Sequence, residues 1–225
     1  MTAARIVPAG DSMLLVEFEA RIDEAINRCA VALARSITDA AMPGIRDVVP
    51  AYRSVAVYFD PLKTDAARLT RFLRERLRST ASADGPVDER NVAPIRIPVV
   101  YGGNAGPDLE DVAAHAHMTP GDIVALHCAR PYRAFMLGFL PGFAYLAPVD
   151  ARIAMPRLAT PRSRVPAGSV GIAGPQTGIY PSESPGGWRL IGRTRVRPFD
   201  PARAEPFLIK PGDRVQFYPV EAGTD

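Results

Sequence analysis

Val165 to Thr194 reads VPAGSVGIAGPQTGIYPSESPGGWRLIGRT, short runs of strand-forming residues broken at close intervals by glycine and proline. Ser169–Ala173, Gly178–Tyr180 and Trp188–Ile191 are the runs, and Pro166-Ala167-Gly168, Gly174-Pro175 and Pro185-Gly186-Gly187 are the breaks. Short strands joined by tight turns are written this way, and the pattern predicts a compact β-barrel. From Pro131 to Thr194 lie 9 of the chain's 23 prolines and 9 of its 18 glycines, yet Ile, Val, Phe and Trp persist. A disordered low-complexity segment would have lost them, so these are rigid, ordered loops.

Outward from this stretch, everything after Ala129 carries the same signature of strands and turns. Lys210-Pro211-Gly212-Asp213 is a turn of type II, predicted to join 206–209 to 214–218 in a closing hairpin. Upstream, Thr119-Pro120-Gly121-Asp122 is a capped helix start, and the helix carries Ile123, Leu126 and His127 on one face. Gly106-Pro107-Asp108 opens another helix, with proline in its first turn and Asp108, Glu110 and Asp111 near its positive end. Its buried stripe is Leu109, Val112, Ala113 and Ala116. A strand over 95–101 starts this region.

The first third differs. Strand signals at 12–18, 45–50 and 54–59 alternate with two amphipathic helices, one over 22–41 stopped by Pro43-Gly44, the other from Thr64 with Leu69, Phe72, Leu73 and Leu77 on one side. The order β-α-β-β-α is most of a ferredoxin-like split unit. Residues 79–93 lack apolar periodicity and form the expected linker. The prediction is therefore an α+β chain: an N-terminal ferredoxin-like α/β sandwich over residues 1–88, then a β-barrel domain over 89–225 that carries the site motifs.

Composition narrows the function. The 225 residues are 47% hydrophobic and 23% charged, and the net charge of +3 comes from 27 basic and 24 acidic residues without a run of one sign. No nucleic-acid partner is expected. Lys63 and Lys210 are the only lysines, so nearly all positive charge is arginine. Cys29 and Cys128 lack any zinc spacing and are expected as buried thiols of a reducing compartment. No window approaches the roughly 20 apolar residues of a membrane span and the first eight residues lack a signal-peptide core, so a cytoplasmic location without a membrane partner is expected. Neither lysine stands in a GxxxxGK[ST] loop, and position 167 is alanine where a GxSxG elbow around Ser169 needs glycine. His115 and His117, two apart on a helix, point to different faces and make a shared metal improbable; no metal site is expected.

Candidates for chemistry concentrate in the barrel region. Arg193, between two short strands, is the residue best placed for a carboxylate or phosphate oxygen. Gln176 and Tyr180 suit the edge of an amide or lactam, or else satisfy turn backbone groups. Arg162, with Arg157 and Arg164, lies in a stiff proline-bounded segment. Trp188 follows two glycines and either floors a pocket or fills the core; Phe139, Phe143 and Tyr145 share that ambiguity. Gly168, Ser169, Gly186 and Gly187 are the loop positions whose backbone lines such a site. His127 is poised between a satisfied core histidine and a general acid or base.

The opening stretch, together with Gly138-Phe139-Leu140-Pro141-Gly142-Phe143, resembles the family that holds the B subunit of 5-oxoprolinase (PxpB), the kinase inhibitor KipI and allophanate hydrolase subunit 1. The resemblance continues through Pro98–Gly103, Gly106–Leu109, Phe199-Asp200-Pro201 and Lys210–Asp213, and departs from it at Ala144, where the family has proline. It implies a cyclophilin-like barrel, a histidine at position 127, and a non-autonomous hydrolase component that opens 5-oxoproline to glutamate at the expense of ATP with Mg. It further implies two partner polypeptides, the C and A subunits of 5-oxoprolinase, with the site shared with the C subunit. A KipI-like inhibitor of a sensor histidine kinase and a carboxyltransferase-related component of urea or allophanate metabolism share the same motifs. No amidase Ser-Ser-Lys signature is present, as allophanate hydrolase proper would require.

Overall fold

A computed structural model describes residues 4–82 and 93–223. The chain divides into two compact units, Met1–Asn91 and Val92–Asp225. Most of the expected linker lies outside the described residues.

In the first unit, β1 (Arg5–Pro8), β2 (Met13–Glu17), β3 (Ile45–Pro50) and β4 (Ser54–Phe59) form one antiparallel sheet in the order β1-β2-β4-β3. Two helices, α1 (Glu24–Asp39) and α2 (Ala66–Ser82), pack on it. The alternation of β4 puts Val55, Val57 and Phe59 inside, against Leu33 and Ile37 of α1 and Leu69 and Leu73 of α2. Asp23 caps α1, accepting from the backbone N–H groups of Ala25 and Ile26 at 2.8 and 3.1 Å. The sheet's fourth strand, β1, comes from the N-terminal side, pairing Arg5 with Glu17 and Pro8 with Leu14. Four residues ending in proline carry too little pattern to be recognised alone. The second helix also runs past the expected end near Ser79 to Ser82.

The second unit is a closed seven-stranded barrel of order β10-β7-β6-β13-β5-β12-β9. Its members are β5 (Ile95–Tyr101), β6 (Tyr132–Leu137), β7 (Ala144–Ala147), β9 (Ser169–Ala173), β10 (Gln176–Ile179), β12 (Arg189–Arg193) and β13 (Arg214–Pro219). A two-stranded ribbon, β8 (Arg162–Val165) with β11 (Ser184–Gly186), stands beside it. Two helices, α3 (Leu109–Ala116) and α4 (Pro120–Cys128), add Leu109, Val112 and Ile123 to the barrel core, which centres on Ile97, Val170, Ile172 and Phe217. Every residue of β9 is buried, so this strand is covered on both faces.

Two local expectations are corrected. The helix α3 starts at Leu109, with Pro107 in the preceding turn, and Asp108 makes no side-chain cap because its carboxylate is engaged elsewhere. The Lys210–Asp213 turn is present, closed by Asp213 N–H donating to the Lys210 carbonyl at 3.1 Å with Gly212 at φ 96°. It closes no hairpin, however. β13 runs parallel to β5 and antiparallel to β6, while residues 206–208 pair back onto 198–200 through Leu208 N–H to Pro198 O and Asp200 N–H to Pro206 O, both 2.9 Å. Closing the barrel gives β13 partners on both sides, which a terminal hairpin would not.

Close backbone approach makes some glycines obligatory. A Cβ on Gly106 would lie 2.0 Å from the Ile191 carbonyl oxygen, whereas one on Gly121 meets nothing nearer than Thr119 Oγ1 at 3.7 Å. Gly106→Ala is therefore expected to destabilise the barrel by about 1–3 kcal/mol. Gly121→Ala, inside α4, should change stability by less than about 1 kcal/mol, in the stabilising direction. Denaturant unfolding followed by the fluorescence of Trp188, the single tryptophan, reads the barrel unit alone.

Candidate functional site

Five aromatic rings pack into one cluster of the barrel unit. Phe143 is their hub, with ring centroids 5.0 Å from Tyr145, 5.2 Å from Trp188, 5.3 Å from Tyr180 and 5.6 Å from Phe139, all edge-to-face. Such pairs add roughly 0.5–1.5 kcal/mol each beyond burial and fix ring orientation. Phe143, Tyr180 and Trp188 are buried; Phe139 is 60% exposed. Of the two readings of Trp188, the geometry fits the core one.

Phe139 is held out by its backbone. Its φ is 69°, and Leu140 N–H donates across it to Gly138 O at 2.9 Å, a γ-turn of the strained, positive-φ kind. Pro141-Gly142 then turns the chain back, with Phe143 N–H on Leu140 O at 3.0 Å and Gly138 N–H on Phe143 O at 3.1 Å. A bulky residue at positive φ persists only where its surroundings over-determine it.

Glycines let the rings and ribbon close up. A Cβ on Gly186 would lie 2.4 Å from the Tyr180 hydroxyl, and one on Gly178 would meet Phe143 and Trp188 at 3.2 and 3.3 Å. Burial pushes the Tyr180 phenol above its usual pKa, opposed by the Trp188 backbone N–H beside it. Gly187 sits against Pro161 and Leu158, whose N–H donates to Gly187 O at 2.7 Å.

Arg162, on the ribbon, donates through Nη2 to Asp108 Oδ1 at 2.6 Å, and Leu190 N–H donates to Asp108 Oδ2 at 2.6 Å. Asp108 is buried and thus ties α3, β12 and β8 together. Sequence reasoning gave Asp108 only a helix-dipole role. Arg164 pairs with Glu183 at 2.7 Å on the surface. Gln176 begins β10 opposite Ala173.

Next to the aromatic wall lies a cavity of about 760 Å³, lined by Gly168, Arg193, Arg195, Arg197 and Phe199 and walled by Pro98 and Val100. The two regions share backbone. Gly168 N–H donates to Tyr180 O at 2.7 Å, a Cβ on Gly168 would lie 2.1 Å from Thr194 O, and Gly142 packs on Phe199. Ser169, buried, accepts from Tyr180 N–H at 2.9 Å. Arg193 donates through Nε to Ala167 O at 2.9 Å, which fixes its guanidinium at the cavity. Arg195 and Arg197 were missed, although the alternation in Arg-Thr-Arg-Val-Arg places all three on one side of the chain.

His127 stands apart from both regions. It is fully buried and stacks on Phe217 at 4.7 Å. Its Nδ1 is 2.7 Å from Tyr101 Oη and its Nε2 is 2.8 Å from Thr177 Oγ1, so each ring nitrogen has a hydroxyl partner. Burial lowers its pKa to about 3. The arrangement is that of a neutral core histidine, sealed from any substrate. Among the described residues no group of three or more His, Cys, Asp or Glu could hold a metal, and no helix is long and apolar enough to cross a membrane.

The family model described as "Carboxyltransferase domain, subdomain C and D" matches residues 4–209. The chain is 40% identical to the 5-oxoprolinase B subunit of Bacillus subtilis (strain 168) over 223 residues, 95% of this chain and 91% of that protein. It is 41% identical to the protein of the same name from Escherichia coli O157:H7 over 227 residues, 99% of each. Among solved structures, TTHA0988 superposes with a TM-score of 0.83 at 39% identity over 95% of this chain, which spans 41% of that longer one. The urea amidolyase of K. lactis, 24% identical with a TM-score of 0.76, covers 98% of this chain, which is 15% of its length, and shares the fold.

The buried imidazole gives the barrel a pH dependence. Unfolded, it protonates near 6.5; folded, near 3. Unfolding therefore takes up a proton between those values, and the stability that neutral His127 contributes is complete above pH 6.5 and lost as pH falls toward 3. From about pH 6 to about pH 4 stability should drop by up to about 1.4 kcal/mol per unit. His127→Gln should flatten that slope, as read by Trp188 fluorescence in denaturant at each pH.

Proposed function

Because the chain belongs to the family of carboxyltransferase domains, subdomain C and D, in which it is matched nearly end to end by 5-oxoprolinase B subunits, we propose that it serves as the B subunit of an ATP-dependent 5-oxoprolinase. The observation that carries this is identity of 40–41% spread over almost the whole length of both those proteins. The reaction is 5-oxoproline, ATP and water to glutamate, ADP and phosphate. An unstrained lactam is a resonance-stabilised amide, poorly electrophilic toward water. Transfer of the γ-phosphoryl group to the lactam oxygen, with ADP leaving, makes the ring carbon electrophilic; one water adds there and the C–N bond opens to leave an acyl phosphate, from which a second water releases phosphate to give the glutamate carboxylate.

Such chemistry asks the protein for positioning and charge stabilisation rather than a nucleophile. Arg193, oriented by Ala167, is suited to the negative charge that develops on the transferring oxygens. Phe139 offers an exposed apolar face for a small ring, steadied edge-to-face by the buried rings of Phe143 and Tyr180. Gln176 and Arg162 are proposed to act on this surface through the strand and ribbon that carry them. The exposed Phe139 and the lack of a complete catalytic set among the described residues fit a site shared with a companion polypeptide, the enzyme's C subunit, with the A subunit as third member. Mg²⁺ accompanying ATP would take its ligands from the phosphates and the companion chains.

The purified C and A subunits should together release glutamate from 5-oxoproline and ATP only when this chain is added. Arg193→Ala, with Trp188 fluorescence unchanged, should lower kcat by about 10²–10³-fold. If the three chains associate in folded form and yield no glutamate, the reading fails and kinase binding becomes the next assay.

A further inference from the structure

Two polar atoms of the ribbon, Arg162 Nη1 and Ser184 Oγ, are buried without a hydrogen-bond partner among the described residues. The ribbon pairs Val165 with Ser184 and Arg162 with Gly186. Ser184 and Gly186, two apart on one strand, share a face, and Arg162 stands opposite Gly186 on that face. The same face meets Tyr180, because a Cβ on Gly186 would collide with its hydroxyl. Burial raises the Tyr180 phenol, while the Trp188 backbone N–H and the positive charges of Arg157 and Arg162 pull it back. Both guanidinium groups therefore lie within electrostatic reach of the phenol oxygen. A guanidinium nitrogen, a hydroxyl and a phenol thus bring donors to one spot.

A buried donor left unmet costs about 1–3 kcal/mol. A guanidinium nitrogen only donates, so what satisfies Nη1 must present an acceptor oxygen. Charge selects an anion. Asp108 takes the other nitrogen, Nη2, at 2.6 Å and offsets Arg162, which leaves Arg157 as a second cation beside the phenol. One further carboxylate balances it. Size selects a small acid. Tyr180 spans the gap between the ribbon and the exposed Phe139, its hydroxyl end at Gly186 and its ring edge-to-face with Phe139 at 6.3 Å between centroids. A small ring resting on Phe139 carries its substituent to the ribbon. The ribbon is a separate two-stranded sheet, so a slight outward shift admits the oxygens without parting any barrel strands. We infer that the inner face of the ribbon is a carboxylate subsite, in which Arg162 Nη1, Ser184 Oγ and Tyr180 Oη donate to the oxygens of a small cyclic acid. The inference deepens the oxoprolinase reading and rests on it only for the identity of the ring. It gives Ser184 a part in recognition and makes the free carboxylate, more than the lactam, the group that selects the ligand. A lactam whose carboxyl is amidated, as in a residue that begins a peptide, is refused.

Titration of the full chain with 5-oxoproline and with 5-oxoprolinamide, followed by Trp188 fluorescence, tests this without any turnover. The acid should bind saturably and the amide roughly tenfold or more weakly, since the hydrogen bonds it forfeits are charge-assisted. Arg162→Lys keeps a cation beside Asp108 but loses the fork, and Ser184→Ala leaves that ion pair intact. Each should weaken the acid roughly tenfold and bring it toward the amide. Arg164→Ala, which removes a ribbon arginine paired with Glu183 on the surface, should bind the acid as the parent does. The inference is overturned if the folded chain binds neither compound, if acid and amide bind alike, or if Ser184→Ala or folded Arg162→Lys leaves the preference for the acid unchanged. Glutamate release by the complex is a separate readout. Release with a chain that does not distinguish acid from amide refutes the subsite alone, and a chain that prefers the acid but supports no release refutes the enzymatic reading alone.

Discussion

One buried carboxylate keeps the barrel unit in register. Asp108 accepts the Leu190 N–H of β12 on one oxygen and the Arg162 guanidinium of the ribbon on the other, each at 2.6 Å. It stands at the start of α3, so helix, barrel wall and side ribbon converge on a single anion. Removing one member of such a pair leaves an uncompensated charge out of water, typically at a cost of about 3–5 kcal/mol. The ribbon in turn carries Gly186 against the Tyr180 hydroxyl, with Trp188 two residues further on. The orientation of the aromatic wall therefore rests on an ion pair that contains none of its rings.

The wall and the cavity are two products of the same economy of side chains. Where Gly142, Gly168, Gly178 and Gly186 omit a Cβ, ring or backbone atoms approach to distances that alanine would forbid. Density of this kind makes the region stiff, and stiffness is what a site needs if it is to position reactants by geometry instead of by covalent chemistry. The strained turn at Phe139 fits the same pattern: three backbone hydrogen bonds within 138–143 pin an exposed ring that solvent alone would not favour.

Local patterns were legible in the sequence, and pairings at a distance were not. Strands at 45–50, 54–59, 95–101 and 169–173 have the bounds that their alternation and flanking breakers indicate, and the Thr119 cap closes with Asp122 as a capping box. The glycine and proline rhythm announced the barrel because each turn chemistry is local. The partners of β13 were illegible, since barrel closure sets its parallel pairing with β5, more than a hundred residues away. Asp108 looked like a helix-start acid, because nothing in the chain announces that Arg162 and Leu190 come to it. His127 looked equally fit for core or chemistry; its two hydroxyl partners, Tyr101 and Thr177, lie 26 and 50 residues off and decide for the core. Arg195 and Arg197 were readable in principle, as their period of two beside Arg193 shows.

The central claim is that the aromatic wall and the arginine cavity form one face, incomplete until a second polypeptide covers it. Hydrogen–deuterium exchange of this chain, alone and with the companion polypeptides, addresses the claim most directly. The account predicts slower exchange in the complex at residues 138–143 and 193–197, with the barrel core at β9 unchanged because it is already protected. A stable complex in which neither segment slows, or in which protection is confined to residues 4–82, would contradict it.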